Sequence, residues 1–195
     1  MLVVAVLLAD VLWPVFLAAG LEQVRIDPGN TAMTPLDFVS YPFSHSLLLL
    51  IVWGVLMAST YRLIAGDGRI FPVLIALVVS HWFLDFVTHR PDLPLYPGSP
   101  KFGLSLWNSV PATLVVETTL FAAGLWTYVR TTRAKDRVGR WELVGLVILL
   151  GAGYLAAAFG NPPPSVTALW IISLIGAAIG TAWSWRIDRH RTARS

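Results

Sequence analysis

The sequence predicts an all-α membrane protein, a polytopic bundle of about six transmembrane helices with both termini in the cytoplasm. Of its 195 residues, 56% are hydrophobic and 13% are charged, whereas soluble domains carry roughly 25% charged residues. Six apolar stretches are each about 17 to 26 residues long, which is close to the length that crosses a bilayer. Basic residues concentrate in alternate connections, and this asymmetry sets the orientation.

The apolar stretches cover approximately residues 1–20, 45–61, 70–88, 104–129, 141–159 and 165–185. The first lacks the basic start of a cleavable signal peptide and carries Asp10 near its middle, so we expect it to remain as a membrane helix. No internal repeat divides the chain, which predicts a single transmembrane domain over 1–195. Its metal-site core is expected at about 5–130, followed by the last two helices and a basic tail at 141–195.

Eleven of the fourteen Lys and Arg residues follow the second, fourth or sixth apolar stretch. The other three, Arg25, Arg90 and Lys101, lie in the opposite connections. The positive-inside rule therefore places both termini in the cytoplasm. Because the basic residues form short blocks at membrane boundaries, lipids are the expected partners and nucleic acid is not.

The third apolar stretch contains the most informative polar residues. His81, Asp85 and His89 follow one another at four-residue steps, which places them on one helical face. Ionisable groups inside membrane helices are costly, and they commonly mark a functional site. The chain has no cysteine, so a metal would be held by imidazole and carboxylate groups.

The predicted topology brings further polar residues to the same outer half of the membrane. His45 begins the second stretch, Asp37 lies just before it in an outward loop, and Asp10 and Glu117 lie nearer the middle. We therefore predict a divalent metal site, with zinc favoured and manganese or iron as alternatives. The predicted ligands are Asp10, Asp37, His45, His81 and Asp85. His89 and Glu117 are predicted to transfer protons.

Simpler interpretations exist for several of these residues. A hydrogen bond between His81 and Asp85, or a helix cap at His45, needs no metal, and Glu117 could be a protonated, hydrogen-bonded carboxyl group. The predicted substrate-binding residues are Arg90, Lys101 and Asn108. Contacts with lipid headgroups explain the two cations among them equally well.

Gly176 and Gly180 form a G-x-x-x-G pair in the last apolar stretch. Such a pair permits close approach of two helices. Packing within the bundle is the favoured interpretation, and formation of an oligomer is the alternative.

Two motifs, PFSHS at 42–46 and SHWFLDFVTH at 80–89, accompany the acidic residue of the first stretch. Together they resemble the bacterial inner-membrane proteins described as LexA-regulated, membrane-bound predicted metal-dependent hydrolases, over about residues 5–130. The resemblance implies a multi-pass inner-membrane protein distantly similar to zinc-dependent phospholipase C. It also implies metal ligation by His45, His81 and Asp85, with Asp10 as the carboxylate of the first helix.

The chain departs from that family pattern just before His45, in and upstream of the first motif. It has Asp37 and Tyr41-Pro42-Phe43 where the pattern has a further His and a Thr. The number of metal ions therefore stays open.

The leading hypothesis from the sequence is a membrane-embedded, metal-dependent hydrolase. It would cleave a phosphoester or ester bond of a lipid at the outer leaflet, because the metal-type residues gather at headgroup depth. The alternative is a proton- or metal-ion-coupled transporter that uses the same His/Asp/Glu cluster. A nonenzymatic scaffold with a structural metal is a third interpretation.

Overall fold

A computed structural model describes residues 1–66 and 68–194, and it is mainly helical. Within those residues, five helices are long and apolar enough to cross a membrane. They are α4 (Leu47–Ala65), α5 (Phe71–Thr88), α6 (Val110–Thr131), α7 (Arg137–Phe159) and α8 (Val166–Arg189). The prediction of a polytopic helical membrane protein is confirmed.

The first apolar stretch forms two helices where the sequence predicts one. Helix α1 covers Leu2–Val6 and helix α2 covers Leu8–Ala18, with the break at Leu7. At about 1.5 Å per residue, neither piece alone spans the roughly 30 Å hydrocarbon core. Pro14 lies inside α2, and because it has no backbone N–H it leaves the carbonyl of Asp10 without its usual helical donor.

Helices α4 and α5 form an antiparallel pair at the centre of the bundle. Leu50 and Ala58 of α4 and Leu74 and Val78 of α5 are fully buried. Gly54 permits this close packing, since a Cβ at that position would lie 3.2 Å from the Cα of Ile75.

Short antiparallel strand pairs organise the outward connections. Strand β1 (Gln23–Ile26) pairs with β2 (Leu36–Ser40), and a one-turn helix α3 (Pro42–His45) follows directly. Strand β3 (Leu93–Pro94) pairs with β4 (Lys101–Phe102). A 3-10 turn over Leu106–Asn108 then leads into α6. These elements pack over the outer helix ends and support the candidate site.

The opposite end of the bundle joins the α6–α7 connection to the C-terminal tail. Strand β5 (Thr132–Ala134) pairs with β6 (Arg191–Ala193), so the two most basic segments lie at one end, as the topology predicts. Gly139 is required here, because a Cβ would come within 2.1 Å of the carbonyl oxygen of His190. A hydrogen bond from the Gly139 backbone and the nearby His190 ring lower the pKa of Asp136.

The G-x-x-x-G pair does not mediate packing within the bundle. A Cβ at Gly176 or Gly180 would meet no atom of the described chain within 4 Å. The structure therefore contradicts the favoured interpretation, close packing of this pair within the bundle, and oligomer formation through this face stays a prediction.

Replacing Gly54 with leucine should destabilise the fold. The added side chain must displace the α5 backbone, and overpacking of this kind typically costs about 1–3 kcal/mol. We expect Gly54→Leu to lower the thermal unfolding midpoint in detergent. Gly124→Leu on α6 is the matched control, because its Cβ would enter open space. Equal midpoints for the two variants would contradict the proposed close packing.

Candidate metal centre

Three elements bring four side chains together near the outer end of the bundle. Asp10 of α2, His45 of α3 and His81 of α5 each offer one ligand atom, and these atoms lie within 4.8 Å of one another. Asp85 stands one turn after His81, with its Oδ2 3.1 Å from His81 Nε2 and 3.7 Å from His45 Nε2. We call these four residues the His–Asp cluster.

Local backbone geometry directs His45 into this cluster. His45 ends the one-turn helix α3, and the next residue, Ser46, is extended with φ −74° and ψ 141°. Ser46 then caps α4 by accepting a hydrogen bond from the Leu49 N–H. The chain therefore turns sharply after His45, and the imidazole lies 95% buried between α2 and α5.

A hydrogen-bonded chain determines which nitrogen of His45 is available. The Ser44 hydroxyl donates to Glu22 Oε2 at 2.7 Å, and Ser44 Oγ lies 2.7 Å from His45 Nδ1. Since the hydroxyl proton is given to Glu22, His45 Nδ1 must donate to Ser44, which leaves the Nε2 lone pair facing the cluster. Burial lowers the pKa of His45 to about 3, so its ring is neutral at pH 7 and able to bind a cation.

Glu22 also fixes the backbone of α3. Its Oε1 accepts hydrogen bonds from the N–H groups of Phe43 and Ser44, each at 2.8 Å. Burial raises the pKa of Glu22, and the hydrogen bonds from Ser44 and Phe43 oppose that shift. This carboxylate thus holds both the helix and the serine that orients His45.

His81 is oriented in the same way by the break between α1 and α2. Its Nδ1 lies 3.2 Å from the carbonyl oxygen of Val6, the last residue of α1. A carbonyl can only accept, so Nδ1 carries a proton, and in the neutral ring Nε2 presents its lone pair to Asp10 and Asp85. The distance from His81 Nε2 to Asp10 Oδ1 is 3.7 Å.

When both imidazoles are neutral, the Nε2 atoms and the carboxylates of the cluster are acceptors that face one another. Asp85 Oδ2 is buried and lies 3.1 Å from His81 Nε2, so a proton on that nitrogen would join the two groups as an ion pair. Unpaired buried acceptors are costly, and a cation between them removes that cost. Two imidazole nitrogens and two carboxylates form a donor set that suits zinc, and also manganese or iron.

The cluster is open on one side. The side chain of Asp10 is 53% exposed, whereas that of His81 is only 12% exposed. The opening therefore lies on the α2 side of the cluster, at Asp10.

The structure does not bring Asp37 to the cluster, which corrects its prediction as a ligand. Arg25 donates to Asp37 Oδ2 through Nη2 at 2.7 Å, and Arg90 binds Asp37 Oδ1. Both carboxylate oxygens are thus occupied by guanidinium groups. Tertiary pairing of this carboxylate with two cations could not be read from its position in the sequence.

His89 lies beside the cluster at the end of α5, and two residues that the sequence analysis missed hold it there. His89 Nδ1 is 3.1 Å from Asp92 Oδ1, and the Tyr41 hydroxyl donates to the same oxygen at 2.5 Å. The Tyr41 ring lies between His89 and His45, with centroids 6.1 and 5.1 Å away. The i, i+3 spacing of His89 and Asp92 was the one sequence feature that indicated this contact. Burial, together with Asp92, raises the pKa of Tyr41 well above its usual value.

Glu117 is not part of the cluster. Its Oε1 accepts a hydrogen bond from Trp107 Nε1 at 3.0 Å, and its side chain lines a groove between α6 and α7. The structure therefore separates the two groups that the sequence predicted to transfer protons. His89 is adjacent to the cluster, whereas Glu117 lies on the far side of Trp107.

The three predicted substrate-binding residues lie at the outer end. Arg90 forms the ion pair with Asp37, and Lys101 donates to the Val39 carbonyl at 2.8 Å. Asn108 is exposed at the end of the 3-10 turn. Their role in substrate binding stays a prediction.

A protein-family model described as YdjM inner membrane protein matches residues 26–160. The match includes His45, His81 and Asp85, while Asp10 and helix α8 lie outside it. No curated protein and no solved structure matches the chain.

Replacing Ser44 should weaken metal binding without removing a ligand. Ser44→Ala deletes the acceptor of His45 Nδ1–H, and loss of such orienting contacts typically lowers metal affinity about 10- to 100-fold. Competitive titration with a zinc chelator would measure this change. Ser46→Ala is the control, because Ser46 is equally buried but only caps α4. Similar affinities for the two variants would contradict the role assigned to Ser44.

Proposed function

This chain belongs to the YdjM inner membrane protein family, and we propose that it is a membrane-embedded, metal-dependent hydrolase. Its proposed substrate is a lipid whose phosphoester or ester bond lies at the outer leaflet. Family membership supports the membrane location, and the His–Asp cluster supports the chemistry.

The observation that carries this proposal is the preset orientation of the two imidazoles. Ser44 and the Val6 carbonyl each occupy an Nδ1 atom, so both Nε2 atoms point toward Asp10 and Asp85. Metal-binding histidines are commonly oriented by such contacts on their second nitrogen. With neutral rings, these contacts leave both Nε2 atoms free to bind a cation.

His45, His81, Asp85 and Asp10 would hold the metal. A divalent cation supplies Lewis acidity and activates water for attack at neutral pH. The two carboxylates offset the charge of the cation, and the exposed side of Asp10 leaves room for a substrate group.

His89 is the residue proposed to move protons. Asp92 accepts the Nδ1–H bond of His89, so Nε2 is the atom left to take a proton from water or return it to a leaving group. Tyr41 donates to the same Asp92 oxygen and restrains its position. A buried carboxylate that orients an imidazole is a common arrangement for general-base catalysis.

The depth of the cluster favours a lipid substrate. His45 lies just before α4 begins, and Asp85 lies one turn before α5 ends. Both are therefore within about 5 Å of the outer helix ends, where headgroups meet hydrocarbon. Arg25 is largely exposed at the same end, and its charge would attract an anionic headgroup.

Replacing His81 should abolish both metal binding and turnover. We expect elemental mass spectrometry of the detergent-purified wild type to show near-stoichiometric zinc or manganese. His81→Ala should lose at least about tenfold in bound metal and should no longer hydrolyse phospholipid vesicles. His190→Ala is the control, since His190 pairs with Asp136 at the opposite end. Retained hydrolysis in a metal-free His81→Ala protein would overturn the proposal, and metal flux without hydrolysis would favour the transporter.

A further inference from the structure

The end of the bundle opposite the His–Asp cluster carries a group of exposed arginines that the proposed function does not use. Strands β5 and β6 and the adjoining ends of α6, α7 and α8 form this surface, which we call the basic platform. The charge asymmetry of the sequence places it in the cytoplasm. Its cations are all exposed, and they are Arg130, Arg133, Arg137, Arg140, Arg189 and Arg194.

The acidic groups that the structure describes at this end do not neutralise these arginines. Each of them already has another partner: Asp136 lies 2.7 Å from His190 Nδ1, Asp188 lies 2.6 Å from the Tyr128 hydroxyl, and Glu142 lies 2.7 Å from Arg186 Nε. Within residues 1–66 and 68–194, the arginines of the basic platform therefore have no carboxylate partner.

Tryptophan rings hold two of these guanidinium groups near the membrane boundary. Arg130 Cζ lies 3.9 Å from the ring centroid of Trp126, and Arg189 Cζ lies 4.8 Å from the ring centroid of Trp185. Both tryptophans belong to the last two turns of membrane-length helices, α6 and α8. Tryptophans at such positions commonly lie at the depth of lipid headgroups, so the two stacked charges lie close to the height of the lipid phosphates.

The start of α7 adds two more cations beside an indole. Arg137 and Arg140 are three residues apart, so they are neighbours on the helix surface. Trp141 follows them and is 64% exposed. The dipole of a helix disfavours cations at its N-terminus, and the first turn of α7 contains no acidic residue. These arginines therefore do not stabilise the helix, and an external anion would offset their charge.

The pairing of β5 with β6 joins two distant segments into one surface. The buried Arg191 donates hydrogen bonds to the Gly139 carbonyl at 3.0 Å and to Thr132 Oγ1 at 2.9 Å. The backbone N–H of Arg194 donates to the Thr131 carbonyl at 2.8 Å. These bonds hold the C-terminal tail against the α6–α7 connection, so that cations from both segments face the same ligands.

We propose that the basic platform binds the headgroups of anionic phospholipids in the cytoplasmic leaflet. Neighbouring guanidinium groups repel one another, and a phosphate offers them both negative charge and hydrogen-bond acceptors. Clusters of about four to eight cations directly beside a membrane helix are typical of anionic-lipid recognition.

The indoles beside the arginines favour a lipid over a nucleic acid as the ligand. They keep the charges at the membrane boundary, whereas a soluble polyanion approaches from the aqueous side. Binding of this kind needs neither a metal nor hydrolysis, and it goes beyond the proposed function.

Native mass spectrometry of the protein in a neutral detergent tests this proposal. Phosphatidylglycerol and phosphatidylethanolamine with identical acyl chains would be titrated separately, because the ammonium group of the second lipid cancels its phosphate charge. We expect the wild type to bind phosphatidylglycerol at least about fivefold more tightly. The triple variant Arg133→Gln/Arg137→Gln/Arg140→Gln should lose at least about tenfold in that affinity, since each cation near an anionic surface contributes about fivefold. Its affinity for phosphatidylethanolamine should stay unchanged.

The matched control replaces the same three arginines with lysine. Arg133→Lys/Arg137→Lys/Arg140→Lys keeps the positive charge and should keep the wild-type affinity for phosphatidylglycerol to within about threefold. This comparison separates the loss of charge from a change in the fold. Thermal unfolding of both variants in lipid-free detergent would verify that they are equally folded.

Equal phosphatidylglycerol affinities of the wild type and the glutamine variant would overturn the proposal. An oligonucleotide that the glutamine variant no longer binds, while its lipid binding is unchanged, would identify a nucleic-acid surface and would also overturn it. The difference between wild-type and glutamine platforms should persist in a His81→Ala background, which lacks a proposed metal ligand. Failure of either proposal therefore leaves the other one standing.

Discussion

Polar groups inside a bilayer must find partners within the protein, and this requirement shapes the outer half of the molecule. The Nδ1 atoms of His45 and His81 meet oxygen acceptors that belong to the protein. Their Nε2 atoms and the carboxylates of Asp10 and Asp85 then face one another. When both rings are neutral these groups are all acceptors, and a shared cation would then satisfy them together.

The outward connections also give buried polar groups partners within the protein. Glu22 binds the backbone of α3 and, through Ser44, sets the direction of His45. Asp37 is paired with two arginines, which keeps a further carboxylate away from the His–Asp cluster. The short strand pairs thus act as supports for the site, and their buried polar side chains connect the loops to the helix ends.

Trp107 lies between His89, beside the His–Asp cluster, and the apolar groove of α6 and α7. Its ring packs against His89, and its N–H group binds Glu117. The region matched by the YdjM inner membrane protein family, residues 26–160, contains both sides of this boundary. Asp10 comes from the preceding helix, so the cluster is completed by a segment outside the match. The residues beside the cluster and the groove between α6 and α7 therefore share one wall, formed by Trp107.

The sequence alone determines the membrane class, five of the six predicted membrane helices and the common end of the basic segments, because hydrophobic length and charge asymmetry are local properties. It also identifies His81 and Asp85 as neighbours, since a four-residue step fixes their shared helical face. Only the tertiary structure decides that Asp10 and His45 join them, that Asp37 pairs with arginines, and that Glu117 lies in another cavity. These outcomes depend on how helices and loops pack, and the choice of partner for a carboxylate is set by distances between residues far apart in the chain. The break at Leu7 also depends on tertiary packing, because the carbonyl of Val6 beside it accepts a hydrogen bond from His81 of a different helix.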